Sequence, residues 1–406
     1  MRARVDTNSV YFIAAAWLAL ALVASVISIR VGVSVALVEI AVGVAGGNYL
    51  HLHTVPFIDF LAGFGSVLLT FLAGAEIDPD ALRRHIKPAL AIGAVSFSFP
   101  FVAALLVARF IVGWDLHASE ITGVALSTTS VAIVYAVMVE TGLNRTDLGK
   151  LILAACFVTD LGTVAALGVL FADFNGWLLL FIAVTGVTLV FLPRALRFVI
   201  ASVGGRVSEP EIKFIFVVLL FLGWLAQSAN SEAVLPAYLV GLVIAGVFVQ
   251  DRVLVDRMRS VAFALLTPFY FLKAGLYVSL PAVVSGAGLI VLFLLVKLVA
   301  KAVGVWPTAR GFRMRKQDSA YLTLLMSTGL TFGSIAALFG LTTKLITQSQ
   351  YTILITVVIL SGVVPTIIAQ ALFRPDLESA QDALNHLQAG SSDDALLEGT
   401  ASGVAS

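Results

Sequence analysis

Apolar and polar residues are not interspersed along this chain; they come in blocks. Apolar runs fall at 9–29, 33–48, 56–77, 88–113, 119–139, 148–172, 176–200, 211–229, 233–250, 260–279, 282–306, 318–340 and 349–373. Most approach the ~20 residues that an α-helix needs to cross a bilayer; the second and ninth are short. The blocks predict an all-α polytopic membrane protein of about 13 transmembrane helices. The first run, from Tyr11 to Ile29, is too long for the core of a signal peptide and lacks a small-residue cleavage site, so it reads as a helix that is kept. Composition agrees: 60% of the residues are hydrophobic, only 12% are charged, and the mean hydropathy is +1.03. A soluble domain is nearer one quarter charged. The lipid bilayer is thus the expected partner, and a net charge of +1 gives no reason to expect nucleic acid.

Where the charges sit is more informative than their sum. If the runs cross in alternation, eighteen of the 25 basic residues collect on one side, from Arg30 through Arg83, Arg84 and Arg145 to Arg374. The other side holds only Arg2, Arg4, Arg109 and Lys344, and three lysines lie inside runs. The positive-inside rule makes the basic side cytoplasmic, which places the N-terminus outside and the C-terminus inside, in a multi-pass protein of the cell (inner) membrane. Residues 375–406 are polar, acidic and rich in Ala, Ser and Gly; they read as a short disordered cytoplasmic tail, too short for a nucleotide-binding domain.

The chain also looks duplicated. FLAGAEID (71–78) ends the third run and LKAGLYVS (272–279) ends the tenth, and each follows a Leu-Leu-Thr. Ser127-Thr128-Thr129-Ser130 in the fifth run matches the stretch from Ser327, Thr328 and Gly329 to Ser334 in the twelfth. Repeat one would span 9–172 and repeat two 211–373, with 176–200 as a linker helix, all within a transmembrane domain covering 1–374. An odd number of crossings separates the copies, so they are inverted, as in secondary transporters whose sites lie at interrupted helices near the midplane. Hydroxyls and glycines in mid-span suit such interruptions because they satisfy backbone freed by unwinding. Close packing through small residues uses the same residue types, and for 327–334 both readings stand.

Ionisable residues expected at membrane depth are few: Glu39, Glu76, Asp160, Lys273, Lys297 and Lys301, while Asp59 and Glu120 lie near run ends and can reach water. Asp160, preceded by Thr159, lies in the middle of the sixth run. A carboxylate at that depth costs roughly 2.5–3.5 kcal/mol and marks a functional site by default. It is the candidate carrier of a proton or a monovalent metal cation, one at a time. Lys297 and Lys301 are one helical turn apart and share a face, so either can serve as its charge partner, a pair that cation binding would break. Glu76 either lines a cytoplasmic entrance or pairs with Arg83 or Arg84. One cysteine, Cys156, and five scattered histidines form no disulfide, metal or nucleophile pattern, so an enzyme is not expected.

LLTFLAGAEID (68–78), STTSVAI (127–133), Val158-Thr159-Asp160 and VKLVAKAVG (296–304) together resemble the monovalent cation–proton antiporter superfamily, most of all its Kef-type and sodium–proton exchanger branch, over about residues 9–373. The resemblance implies a sodium–proton antiporter-like fold of two inverted six-helix repeats with crossed discontinuous helices. It also implies a homodimer with a dimerisation domain and a core that moves like an elevator. Its ion-binding aspartate falls on Asp160, its third-helix glutamate on Glu76, and its eleventh-helix lysine on Lys301 or Lys297. Two departures stand out: Thr159 replaces the usual Asp, Asn or Gln, and no nucleotide-binding domain follows.

The expected function is exchange of Na⁺ or K⁺ for H⁺ at Asp160, electroneutral because no second acid stands beside it. Thr159, Thr128, Thr129 and Ser130 are the oxygen ligands available to the ion, and no cofactor beyond the transported ions is implied. The rival reading is a sodium-coupled symporter of an organic anion on a related fold, against which stands the lack of an arginine in the core to hold the anion.

Overall fold

The computed structural model describes residues 10–31, 34–50, 52–75, 86–143, 146–171, 176–229 and 233–375. Throughout them the apolar runs are helices. The first half holds α1 (Val10–Val31), α2 (Val35–Tyr49), α3 (Pro56–Ala75), α4 (Ile86–Leu106), α5 (Leu116–Ser127), α6 (Val131–Thr141) and α7 (Asp147–Leu170). After α8 (Gly176–Val203) come α9 (Pro210–Ser228), α10 (Val234–Gln250), α11 (Arg252–Val261), α12 (Thr267–Leu276) and α13 (Leu280–Ser285). The chain then runs through α14 (Ala287–Gly311), α15 (Lys316–Met326), α16 (Thr331–Thr342) and α17 (Gln348–Leu372). Among the described residues nine helical segments are long and apolar enough to cross a membrane, with Val35–Tyr49 and Val234–Phe248 as shorter apolar helices. Two of the expected spans are each split: the fifth into α5 and α6, the twelfth into α15 and α16.

Polar residues mark where helices start. Asp115 accepts from the backbone of Ala118 at α5, Thr146 from Gly149 at α7, and Thr347 and Gln350 form a reciprocal cap on α17. These side chains satisfy N–H groups that a helix leaves open at its beginning. A wide turn at Ala262–Leu266 leads into α12 just before Pro268, which has no N–H to give.

Packing falls into two groups of helices. In one, α3 packs most heavily on α10 and α2 on α12, with α3 also against α12; α8 lies on α9 and α10. In the other, α4 is central, packed against α14, α5 and α7, while α16 and α17 close around α5 and α14. The first group is drawn together by glycine. A Cβ on Gly74 would land on the carbonyl oxygen of Tyr238, and one on Gly241 on that of Phe71. Likewise a Cβ on Gly275 would land on the Ile40 oxygen and one on Gly43 on the Leu272 oxygen. Without water to drive association, membrane helices gain from such close backbone approach. The two crossings are copies: α3 on α10 repeats α12 on α2. The Ala-Gly shared by FLAGAEID and LKAGLYVS is therefore a packing signature that each half carries once.

Gly74→Val should force α3 and α10 apart and destabilise the protein by about 1–3 kcal/mol. Thermal unfolding in detergent checks this, with Gly288→Ala as the control: nothing lies within 4 Å of that position, so its midpoint should not fall.

Candidate ion-binding site

The interruption between α5 and α6 is Thr128-Thr129-Ser130, and that between α15 and α16 runs from Ser327 to Leu330. Both are buried, and they cross each other. The Thr129 hydroxyl donates to Met326 O at 2.9 Å, the Ser130 N–H to Thr328 Oγ1 at 3.3 Å, and Ser130 Oγ lies 3.5 Å from Thr331 Oγ1. Ser130 also caps α6, accepting from Ile133 N at 3.4 Å. Each hydroxyl in the motif thus replaces a bond that unwinding removed. The remaining ones turn back on their own half-helices: Ser127 to Val124 O, Thr128 to Ala125 O, Ser327 to Thr323 O and Thr328 to Leu325 O.

Two half-helices end at the crossing and two begin there, so partial negative and positive charges meet. Both buried lysines of α14 go to the negative part. Lys301 Nζ donates to Ser127 O at 2.8 Å, Ser96 Oγ at 2.8 Å and Thr129 Oγ1 at 3.1 Å. Lys297 Nζ donates to Thr128 O at 3.3 Å. It lies where a Cβ on Gly329 would be, so glycine there lets the ammonium in between the two breaks.

Asp160 lies on α7, which passes the crossing at Cys156, whose Sγ is 3.7 Å from Met326 Sδ. The Asp160 side chain is fully buried, and neither of its carboxylate oxygens has a hydrogen-bond partner. Lys301 is the cation that acts on it electrostatically, yet no ion pair joins them among the described residues. Either lysine was expected to pair with Asp160; Lys301 instead makes three hydrogen bonds elsewhere, the full complement of an ammonium. Thr159 donates to Ala155 O at 3.0 Å and reaches Gly93 O of α4 at 3.4 Å, so its hydroxyl proton is engaged. Glu76 lies outside the described residues. Among the described residues no three of His, Cys, Asp and Glu gather as a metal cluster.

The fold and this crossing can now be compared with known proteins. The profile of the family described as sodium/hydrogen exchanger, transmembrane, matches residues 18–374. The chain belongs to that family. Similar to this exchanger-family chain is cation/H⁺ antiporter 18 of Arabidopsis thaliana, 25% identical over 338 residues, 78% of this chain and 42% of the relative. The Na⁺/H⁺ antiporter NhaS4 of Synechocystis is 25% identical over 309 residues, 70% of this chain and 74% of that one. The exchanger-family chain thus spans under half the length of the Arabidopsis relative. The solved structure of the sodium proton antiporter MjNhaP1 from Methanocaldococcus jannaschii superposes with a TM-score of 0.67 at 14% identity, over 91% of this chain and 97% of that one. That likeness is one of fold: a polytopic, all-helical membrane protein.

Three residues that the sequence did not single out make contacts at this candidate site. Ser96 of α4 is a ligand of the Lys301 ammonium. Tyr238 of α10 is fully buried and donates its hydroxyl to Phe157 O, one turn before Asp160, at 3.0 Å. Ser361 of α17 donates to Gly329 O at 3.3 Å. A mid-span hydroxyl was the available signal for all three, but it is shared with many hydroxyls that only bond their own helix.

Lys301→Met removes three hydrogen bonds and leaves Ser127 O buried without a partner, and should cost about 3 kcal/mol. Lys297→Met loses one long bond and should cost about 1 kcal/mol. The unfolding midpoint in detergent should fall further for the first.

Proposed function

We propose that the chain is a secondary transporter that exchanges a monovalent cation, Na⁺ or K⁺, for H⁺ at Asp160. The observation that carries this is a fully buried carboxylate with neither oxygen hydrogen-bonded, beside the crossing of two unwound helices. A bare carboxylate at that depth is untenable; it holds a proton or a cation. Competition of the two for one group is enough to couple their fluxes. Oxygen ligands suit such ions, and Thr159, Thr128, Thr129 and Ser130 keep lone pairs to offer.

Lys301 bears on the stoichiometry. Its three bonds go to Ser96, Ser127 and Thr129, so a cation arriving at Asp160 displaces no hydrogen bond of the lysine. The ammonium acts as a fixed charge that compensates the half-helix ends. One proton then leaves for each cation bound, which makes the exchange electroneutral. The relatives named cation/H⁺ and Na⁺/H⁺ antiporters support cation–proton exchange, whatever its stoichiometry. In this proposal α4–α7 with α14–α17 slide against the group that is drawn together by its glycine crossings. A homodimer built on that group completes the proposal.

The test is proton movement in proteoliposomes carrying a pH gradient, with Na⁺, K⁺, Li⁺ and Rb⁺ added in turn. Wild type should dissipate the gradient with at least one ion, at a rate that clamping the membrane potential leaves unchanged, and Asp160→Asn should lower that rate at least 100-fold. Sodium-driven uptake of an organic anion without cation-linked proton movement would overturn the reading.

A further inference from the structure

A second charged pair lies away from the crossing. Lys273 Nζ of α12 is 2.7 Å from Asp59 Oδ1 of α3. They border a cavity of about 510 Å³ that lies between α3, α9, α10 and α12 of one packing group and α16 of the other. Phe64, Trp224, Gln227 and Tyr270 share its wall. The cavity lies where α3 begins and α12 ends, the face that the basic loops assign to the exterior. Val234 of α10 lies in its lining. One turn further along α10, Tyr238 bonds the Asp160 helix and packs its ring edge-on against Phe332, with centroids 6.1 Å apart. The cavity wall at Val234 is thus one helical turn of α10 from the tyrosine that bonds the Asp160 helix.

The pair is lopsided. The Lys273 side chain is 10% exposed, whereas that of Asp59 is 44% exposed and open to the cavity. Each charge is also favoured where it stands without the other. Asp59 is in the first turn of α3 and Lys273 in the last turn of α12, where the helix ends carry the complementary partial charge. Nor does the repeat need a charge there: shifted by 201 (272 minus 71, the starts of LKAGLYVS and FLAGAEID), Lys273 falls on Leu72, a buried apolar residue. The second half alone carries an ammonium at this position, and that ammonium occupies a carboxylate lining the cavity.

We infer that Asp59 is the outer docking site for the exchanged monovalent cation and that Lys273 is a tethered competitor for it. This rests on exchange at Asp160. An ion entering from the exterior displaces the lysine from Asp59, and the ammonium relaxes onto the end of α12. Lys273 therefore sets the apparent affinity on that face only.

Exchange kinetics in right-side-out and inverted membrane vesicles test this, using whichever of Na⁺ or K⁺ the wild type accepts. Lys273→Met should lower the KM on the outer face about fivefold and Asp59→Asn should raise it about fivefold, the size of one partly exposed charge pair. Neither should change the KM on the inner face or alter kcat more than about twofold. A change of KM in the same direction for both variants, or an equal change on both faces, would show a structural brace and overturn the inference. Lys273→Arg should resemble wild type. A readout independent of transport is Trp224 fluorescence in the cavity, taken as the difference from Trp224→Phe. Na⁺ or K⁺ should shift it at lower concentration in Lys273→Met and leave it unmoved in Asp59→Asn; no shift in wild type or Lys273→Met would count against docking. Activity surviving in Asp160→Asn would instead refute exchange at Asp160 while this binding signal stood.

Discussion

A helix that stops in the middle of a membrane leaves carbonyls with no water to accept from, and everything near the crossing depends on how those carbonyls are satisfied. Here the answer is an ammonium. Lys301 takes Ser127 O and two hydroxyls, and Lys297 takes Thr128 O. The rest of the crossing is stitched by Thr129 to Met326 and by Ser130 to Thr328. With the backbone thus satisfied by fixed groups, the carboxylate of Asp160 is left as the group without a commitment. In the proposed exchange, selection between proton and metal is then a matter of one carboxylate rather than of a rearranging network.

Much of this was legible in the residues. The blocks of apolar sequence marked the helices because a lipid-facing segment must be apolar over its whole length. Ser127–Ser130 was readable as an interruption because hydroxyls are what unwound backbone needs, whereas for Ser327–Ser334 close packing through small residues fitted the sequence equally well. Asp160 stood out as a candidate because few acids lie at that depth. The duplicated Ala-Gly was visible as a repeat, although its meaning, a helix crossing, was not.

The partners of the lysines were not legible. Opposite charges in an apolar chain suggest a pair, and spacing puts Lys297 and Lys301 on one face. Which group they meet depends on how α14 lies against α4 and α5, and the partners Ser96 and Ser127 are 205 and 174 residues away. A backbone carbonyl as the main acceptor leaves no trace in side-chain identity. Tyr238 was hidden for the same reason: its hydroxyl bonds a main-chain oxygen of a helix 81 residues earlier.

The glycine crossings say something about the ancestry of the chain. Gly74 of the first half meets a carbonyl of the second, and Gly275 of the second meets a carbonyl of the first. Neither half carries both sides of its own contact. A half-length protein would have to find the complementary surface on a second copy inserted upside down. Two such copies would make the same contact twice, once in each direction, and fusing them through a helix such as α8 would fix the opposite orientations in one polypeptide.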